Sequence, residues 1–173
     1  ACRPNAAHRA LAELEARLGE RMFLCTQNVD PLHEAAGSRR VHHMHGELYK
    51  SRCESETCAL PAFDDHALYR AARDHASCRA CGAAIRPHIV WFGEVPFGLP
   101  QIEQALATCG AFVAIGTSGL VYPAAALVDT VPPGTPTWEL NLDPAQNSQA
   151  FQHHHPGPAT STVPALVEAW LGD

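Results

Sequence analysis

The 173-residue chain predicts an α/β protein built on a parallel sheet, with a small cysteine-bearing module inserted into it. Three observations carry this expectation. Short apolar runs repeatedly stop at polar loops, helical periodicities fall between them, and one internal stretch breaks the rhythm with four cysteines in two close pairs.

Taken in order, Pro4-Asn5-Ala6-Ala7-His8 opens the first helix. Asn5 is a good N-cap, and Ala7, Leu11, Leu14 and Leu18 recur at helical spacing until Gly19 stops it. Met22-Phe23-Leu24-Cys25 is an apolar run too short for a helix and ends at Thr26-Gln27-Asn28, as a buried parallel strand ends where a loop begins. Ala111 to Ile115 running into Gly116-Thr117-Ser118-Gly119, and Thr137 to Leu140 running into Asn141-Leu142-Asp143-Pro144, have the same form. Helices are expected over Leu99 to Cys109 and Tyr122 to Val131, and an amphipathic helix entered through Pro164 closes the chain over Val163 to Leu171. Residues 47–87 interrupt this alternation, with one short helix expected around Asp65 to Asp74. The main domain is therefore expected over 1–46 and 88–173, and the inserted module over 47–87.

Charge and composition exclude several classes. A net charge of -6 and a pI of about 6.0 provide no basic footprint for a phosphate backbone, so direct nucleic-acid binding is not expected. No apolar run approaches the roughly 20 residues of a spanning helix, and Ala1 to Asn5 lacks the charged start and apolar core of a signal peptide, so no membrane partner is expected. Seven cysteines are an odd number for a closed disulfide framework, and a reducing, cytoplasmic setting suits them better.

Cys53-x4-Cys58, followed at a distance by Cys78-x2-Cys81, forms two chelating pairs that let four thiolates close a tetrahedron around Zn2+. The insert has few large apolar residues, so metal coordination is expected to supply its folding energy. Four protein ligands leave no open position for water, which makes such a zinc structural and argues against a zinc hydrolase. Cys25 and Cys109 lie in or beside apolar runs and read as small buried hydrophobes.

Gln27, Asn28 and Asp30 put two amides and a carboxylate just past a strand, where Asn and Asp also favour ordinary turns. Val41-His42-His43-Met44-His45-Gly46 holds three histidines at a strand end, and alternation puts His43 and His45 on one face. An imidazole with a pKa of about 6.5 is a natural general base at neutral pH. His153-His154-His155 reads as part of a strand and surface.

In chain order, Thr26-Gln27-Asn28-Val29-Asp30-Pro31-Leu32-His33, His45-Gly46-Glu47-Leu48, the cysteine quartet, Ile89-Val90-Trp91-Phe92-Gly93-Glu94, Gly116-Thr117-Ser118 and Asn141-Leu142-Asp143 resemble the sirtuin (Sir2) family of NAD-dependent protein lysine deacylases. Arg86-Pro87-His88 resembles its bacterial and mitochondrial deacylase branch. The resemblance implies a Rossmann-like sheet, incomplete at its N-terminal side, and the cofactors NAD and structural Zn2+. It implies His45 as the general base that activates a ribose hydroxyl of NAD after the acyl-lysine oxygen displaces nicotinamide, the acyl group leaving on ADP-ribose. By the same resemblance Gln27, Asn28, Val29 and Asp30 line the nicotinamide and ribose pocket. Gly116, Thr117 and Ser118 meet the cofactor at the next strand end, and Asn141, Leu142 and Asp143 face the adenosine, with Ala159 near the adenine. Val90, Trp91, Phe92, Gly93 and Glu94, with Gly119, Leu120 and Val121, are expected to hold an acyl-lysine peptide as an added strand.

Sirtuins carry a Gly-Ala-Gly phosphate loop on their first strand-helix unit, and no G-x-G occurs in these 173 residues. The expectation is that this loop lies before Ala1 or is missing, and that the polypeptide alone binds NAD weakly. A zinc-containing peptide-binding or assembly module derived from a sirtuin is the alternative reading.

Overall fold

The computed structural model describes residues 2–67 and 76–172. Helix α1 (Ala6–Leu18) begins where expected: the Asn5 side chain accepts from the backbone N–H groups of Ala7 and His8, and His8 reaches back to the Asn5 N–H. This reciprocal cap satisfies donors that a helix start otherwise leaves open. Strand β1 (Leu24–Thr26) leads to a short helix α2 (Leu32–Ala36) and then to β2 (Val41–His43), which pairs with β1 in a two-stranded sheet. Strands β3 (Gly46–Cys53), β4 (Phe63–Asp64) and β5 (Ile85–Ile89) follow, then α3 (Leu99–Ala107), β6 (Phe112–Ile115), β7 (Thr137–Asn141), β8 (His153–Pro156) and α4 (Ala159–Leu171).

The chain divides into two compact units. One comprises Ala1–Cys25, Leu32–His42 and Gly98–Asp173; the other comprises Thr26–Pro31 and His43–Phe97. In the first, β6, β7 and β8 form a parallel sheet with β7 in the middle. Its core joins Ala7, Ala10 and Leu14 of α1 to Leu140 of β7 and to Val163 and Val167 of α4. Burying residues of this kind contributes about 1.5–3 kcal/mol for each large side chain. In the second unit β3 is central, flanked by antiparallel β4 and β5, with Arg52 opposite Arg86 and Cys53 opposite Ile85. This unit extends on both sides of residues 47–87, because β3 starts at Gly46 and β5 ends at Ile89.

Three expectations change. The segment expected as a helix from Tyr122 to Val131 is a 3-10 helix over Ala124–Thr130. Its turn closes tightly, with the Ala126 N–H on the Pro123 carbonyl, and the Thr130 hydroxyl takes the Leu127 carbonyl. Helix α4 starts at Ala159 with Pro164 inside it, so Pro164 is not its entrance; the buried Val163 and Val167 hold the helix across the missing N–H. The helix expected around Asp65 to Asp74 lies for the most part outside the described residues, and Asp65 to Ala67 are not helical.

Candidate active site and metal centre

The antiparallel strands of the second unit bring the four cysteines together. Cys53 ends β3, and a Ser77–Ala84 bridge closes the hairpin that carries Cys78 and Cys81. The Cys78 N–H bonds the Ala83 carbonyl at 2.7 Å, and the Gly82 N–H returns to the Cys78 carbonyl at 2.8 Å. Cys53 and Cys81 sulfurs are 3.5 Å apart and those of Cys58 and Cys78 are 3.7 Å apart, with all four within 4.8 Å of one another. A tetrahedron with zinc–sulfur bonds of about 2.3 Å has edges of roughly 3.8 Å, so the donors stand at the spacing that zinc requires. Burial pushes the Cys53 thiol up, the Ala80 backbone N–H pulls the Cys78 thiol down, and four thiols this close cannot all ionise without mutual repulsion. A divalent ion resolves this by stabilising every thiolate at once.

In the same unit, His45 follows β2 in a two-residue turn and is fixed from both sides. Met44 before it is 1% exposed; its N–H bonds the Thr26 carbonyl and its carbonyl accepts the Phe97 N–H. Gly46 after it has φ +90°, and a Cβ there would lie 2.0 Å from the His88 carbonyl oxygen, so glycine is required. The His45 carbonyl accepts the Val90 N–H at 2.9 Å. Its ring Nδ1 lies 3.2 Å from the Gln27 carbonyl. A carbonyl only accepts, so Nδ1 carries the proton and the Nε2 lone pair is left to take one up. His43 Nδ1 meets the Asn28 carbonyl at 3.2 Å, so both imidazoles address the loop that holds Gln27, Asn28, Val29 and Asp30. That loop is tied down by the Thr26 hydroxyl, which accepts the Asn28 N–H, and by the Val29 carbonyl, which accepts the Leu48 N–H at 2.7 Å. Val90, Trp91, Phe92, Gly93 and Glu94 form a turn after β5 in which Phe92 is 100% exposed.

In the first unit, Gly116, Thr117 and Ser118 follow the carboxyl end of β6, and Asn141, Leu142 and Asp143 follow that of the parallel β7. Ligand sites of open α/β sheets form at such strand ends. The Asn141 amide joins them, accepting the Thr117 N–H at 3.0 Å and donating to the Thr117 carbonyl at 2.9 Å. Leu142 is exposed, whereas Ala159 packs on the core at the start of α4. Gly119 fits against Asn147, whose Oδ1 would lie 2.1 Å from an added Cβ, and Leu120 and Val121 are exposed beyond it.

A cavity of about 300 Å³ is lined by Glu139, Asn141, Pro144, Ser148, His154, His155 and Pro156. Of these only Asn141 was legible as a site residue. Glu139 is the hub: it accepts from the Asn141 amide, the Ala145 N–H, the Ser148 hydroxyl and His154 Nδ1. Burial alone would raise its pKa, but these donors, led by Ser148 and the Ala145 N–H, hold it at about 2. Because Ser148 donates directly to the carboxylate and His154 meets it through the same Nδ1 that faces Ser148, the group is an anchoring network and not a nucleophile–base relay.

A parallel sheet with polar strand ends, a histidine fixed in one tautomer and a four-thiol insert define a nucleotide-binding type of α/β protein with a structural metal module. The comparisons make the class specific. The Sir2 family model matches residues 1–123. An NAD-dependent protein deacylase of Caulobacter vibrioides is 51% identical over 173 residues, covering 98% of this chain and 71% of the relative. That of Salmonella typhimurium is 47% identical over 169 residues, covering 97% and 60%. A solved Sir2 homolog–NAD complex superposes with a TM-score of 0.85 at 36% identity, over 98% of this chain and 66% of that one. The chain belongs to the Sir2 family, whose enzymes use NAD, and it spans 71% and 60% of the lengths of those two deacylases.

Proposed function

We propose that this chain carries the acyl-lysine chemistry of an NAD-dependent protein deacylase, with His45 as its general base. The observation that carries the reading is the His45 ring, held by the Gln27 carbonyl in the tautomer that leaves Nε2 basic. When bound, NAD supplies the activated ribose that receives the acyl group and nicotinamide as the leaving group. Its nicotinamide side is assigned to Gln27, Asn28, Val29 and Asp30, which share the loop that His45 addresses. Its remaining parts are assigned to Gly116, Thr117, Ser118, Asn141, Leu142, Asp143 and Ala159. The observation supporting this second assignment is the pair of parallel strand ends locked by Asn141, with Gly116 at φ +62° and open space where a Cβ would stand. His45 takes a proton at Nε2, and the buried Met44 and obligate Gly46 keep it from turning away. Val90 to Glu94 and, in the first unit, Gly119, Leu120 and Val121 are assigned to the peptide; what supports this is the exposure of the Trp91, Phe92, Leu120 and Val121 side chains. Cys53, Cys58, Cys78 and Cys81 hold Zn2+ and keep β3 and β5 in register.

The test identifies where the acyl group goes. With zinc-loaded protein, an acetyl-lysine peptide and NAD, mass spectrometry should find the acetyl group on ADP-ribose. Free acetate formed with no nicotinamide release would overturn the assignment in favour of hydrolysis.

A further inference from the structure

The turn after β5 presents a hydrophobic side chain in a way that folding alone does not favour. Phe92 is 100% exposed, and Trp91, although it packs one face on β5, is still 52% exposed. The turn is closed from both directions: the Glu94 N–H bonds the Trp91 carbonyl at 3.0 Å, and a Glu94 carboxylate oxygen accepts the Trp91 N–H at 2.9 Å. Gly93, at φ +88°, supplies the left-handed residue that this reversal needs.

Arg86 of β5 locks the arrangement. Its two terminal nitrogens meet the two Glu94 oxygens at 2.5 and 3.0 Å, a bidentate fork, and one of them also donates to the Ile89 carbonyl at 3.0 Å. The guanidinium carbon stands 3.5 Å from the centre of the Trp91 ring. One planar cation thus holds the carboxylate in its plane and the indole on its face, two contacts that a lysine does not make together. Arg52, opposite Arg86 in the β3–β5 register, adds a contact to Glu94 at 3.5 Å. Arg86 is itself only 12% exposed, and ion pairs shielded in this way are screened less than open surface pairs.

We infer that the Arg86–Glu94 pair is a positioning device that pre-forms the Trp91–Phe92 turn as a docking ledge for the acyl-lysine peptide. The inference rests on the reading of Val90 to Glu94 as peptide-binding. A ledge already rigid before binding spares the ordering cost that a mobile turn imposes on every encounter. The clamp therefore acts on peptide affinity through the turn, without touching the reacting atoms. Glu94 remains ionised across any working pH, since Arg86 and the Trp91 N–H hold its carboxyl at about 2.

The test uses the zinc-loaded 173-residue chain with Arg86→Ala, the isosteric Glu94→Gln and, as a reference for the ledge itself, Phe92→Ala. Two quantities are read: the Kd of a fluorescein-labelled acetyl-lysine peptide, and the rate of chymotrypsin cleavage after Trp91 and Phe92. Zinc content and circular dichroism check folding. The expected result is a Kd raised at least tenfold in all three variants, with cleavage accelerated at least tenfold in Arg86→Ala and Glu94→Gln. Faster cleavage at an unchanged Kd would make the pair merely structural and overturn the inference, as would parental behaviour in both clamp variants. If the parent chain binds no peptide, or Phe92→Ala binds it normally, the underlying peptide reading fails, and the inference fails with it.

Discussion

Glu139 is 3% exposed and receives four hydrogen bonds, so its charge is stabilised in the folded state and unsupported in the unfolded one. Its carboxyl lies at about 2 in the fold against an ordinary value of 4.5. The sign follows from linkage: a depressed carboxylate stabilises the fold above pH 4.5, and that contribution is lost as pH falls from there towards 2. Its size is on the order of 3 kcal/mol. Glu139→Gln should therefore unfold more readily at pH 7, with a shallower loss of denaturation midpoint between pH 5 and 2.5 than the parent chain. Equal midpoints at pH 7 would count against the hub. Little in the sequence pointed to it, because its members are recruited from a strand, a 3-10 turn and a second strand. Strand alternation in the sequence put His45 on one face with His43, and both rings do reach the same loop, although β2 ends at His43 and His45 lies in the turn beyond it.

Among the elements, β3 and β5 depend most on something other than a core. Leu48 and Tyr49 of β3 are 49% and 46% exposed, and a sheet this small has little apolar surface to bury. The four-thiol site at its end should supply what packing does not. Chelation under reducing conditions should release one zinc per chain and raise the hydrogen-exchange rates of β3 and β5 amides at least a hundredfold, and Cys78→Ser should do the same. Unchanged protection in the metal-free protein would show that the strands stand without the metal. These strands were not legible in the sequence, since exposure on both sides erases the alternation by which a half-buried strand is read. The parallel strand at Phe112 was legible because it is a continuous apolar run that stops at a polar loop, and the one at Thr137 because Trp138 and Leu140 lead into the polar Asn141 in the same way. The 3-10 segment at Ala124–Thr130 and the upstream start of α4 were not, because each turns on a proline whose effect is set by its packing: Pro123 leads into a tight turn, and Pro164 is carried inside a helix by Val163 and Val167.

For the molecule as a whole, the family was legible because separate short strings stand in the right order along the chain, although none is distinctive alone. Family membership follows from the Sir2 model and from relatives near half identity. The proposed chemistry depends on the cofactor, so its requirement for NAD is what separates it from hydrolysis. The most direct test is removal of acetyl groups from a lysine peptide by the zinc-loaded chain across an NAD titration into the millimolar range, beside His45→Ala. The account predicts turnover that requires NAD, releases one nicotinamide for each acetyl group removed, and falls at least a hundredfold in the variant. Turnover without NAD, or turnover that survives the loss of His45, would contradict it.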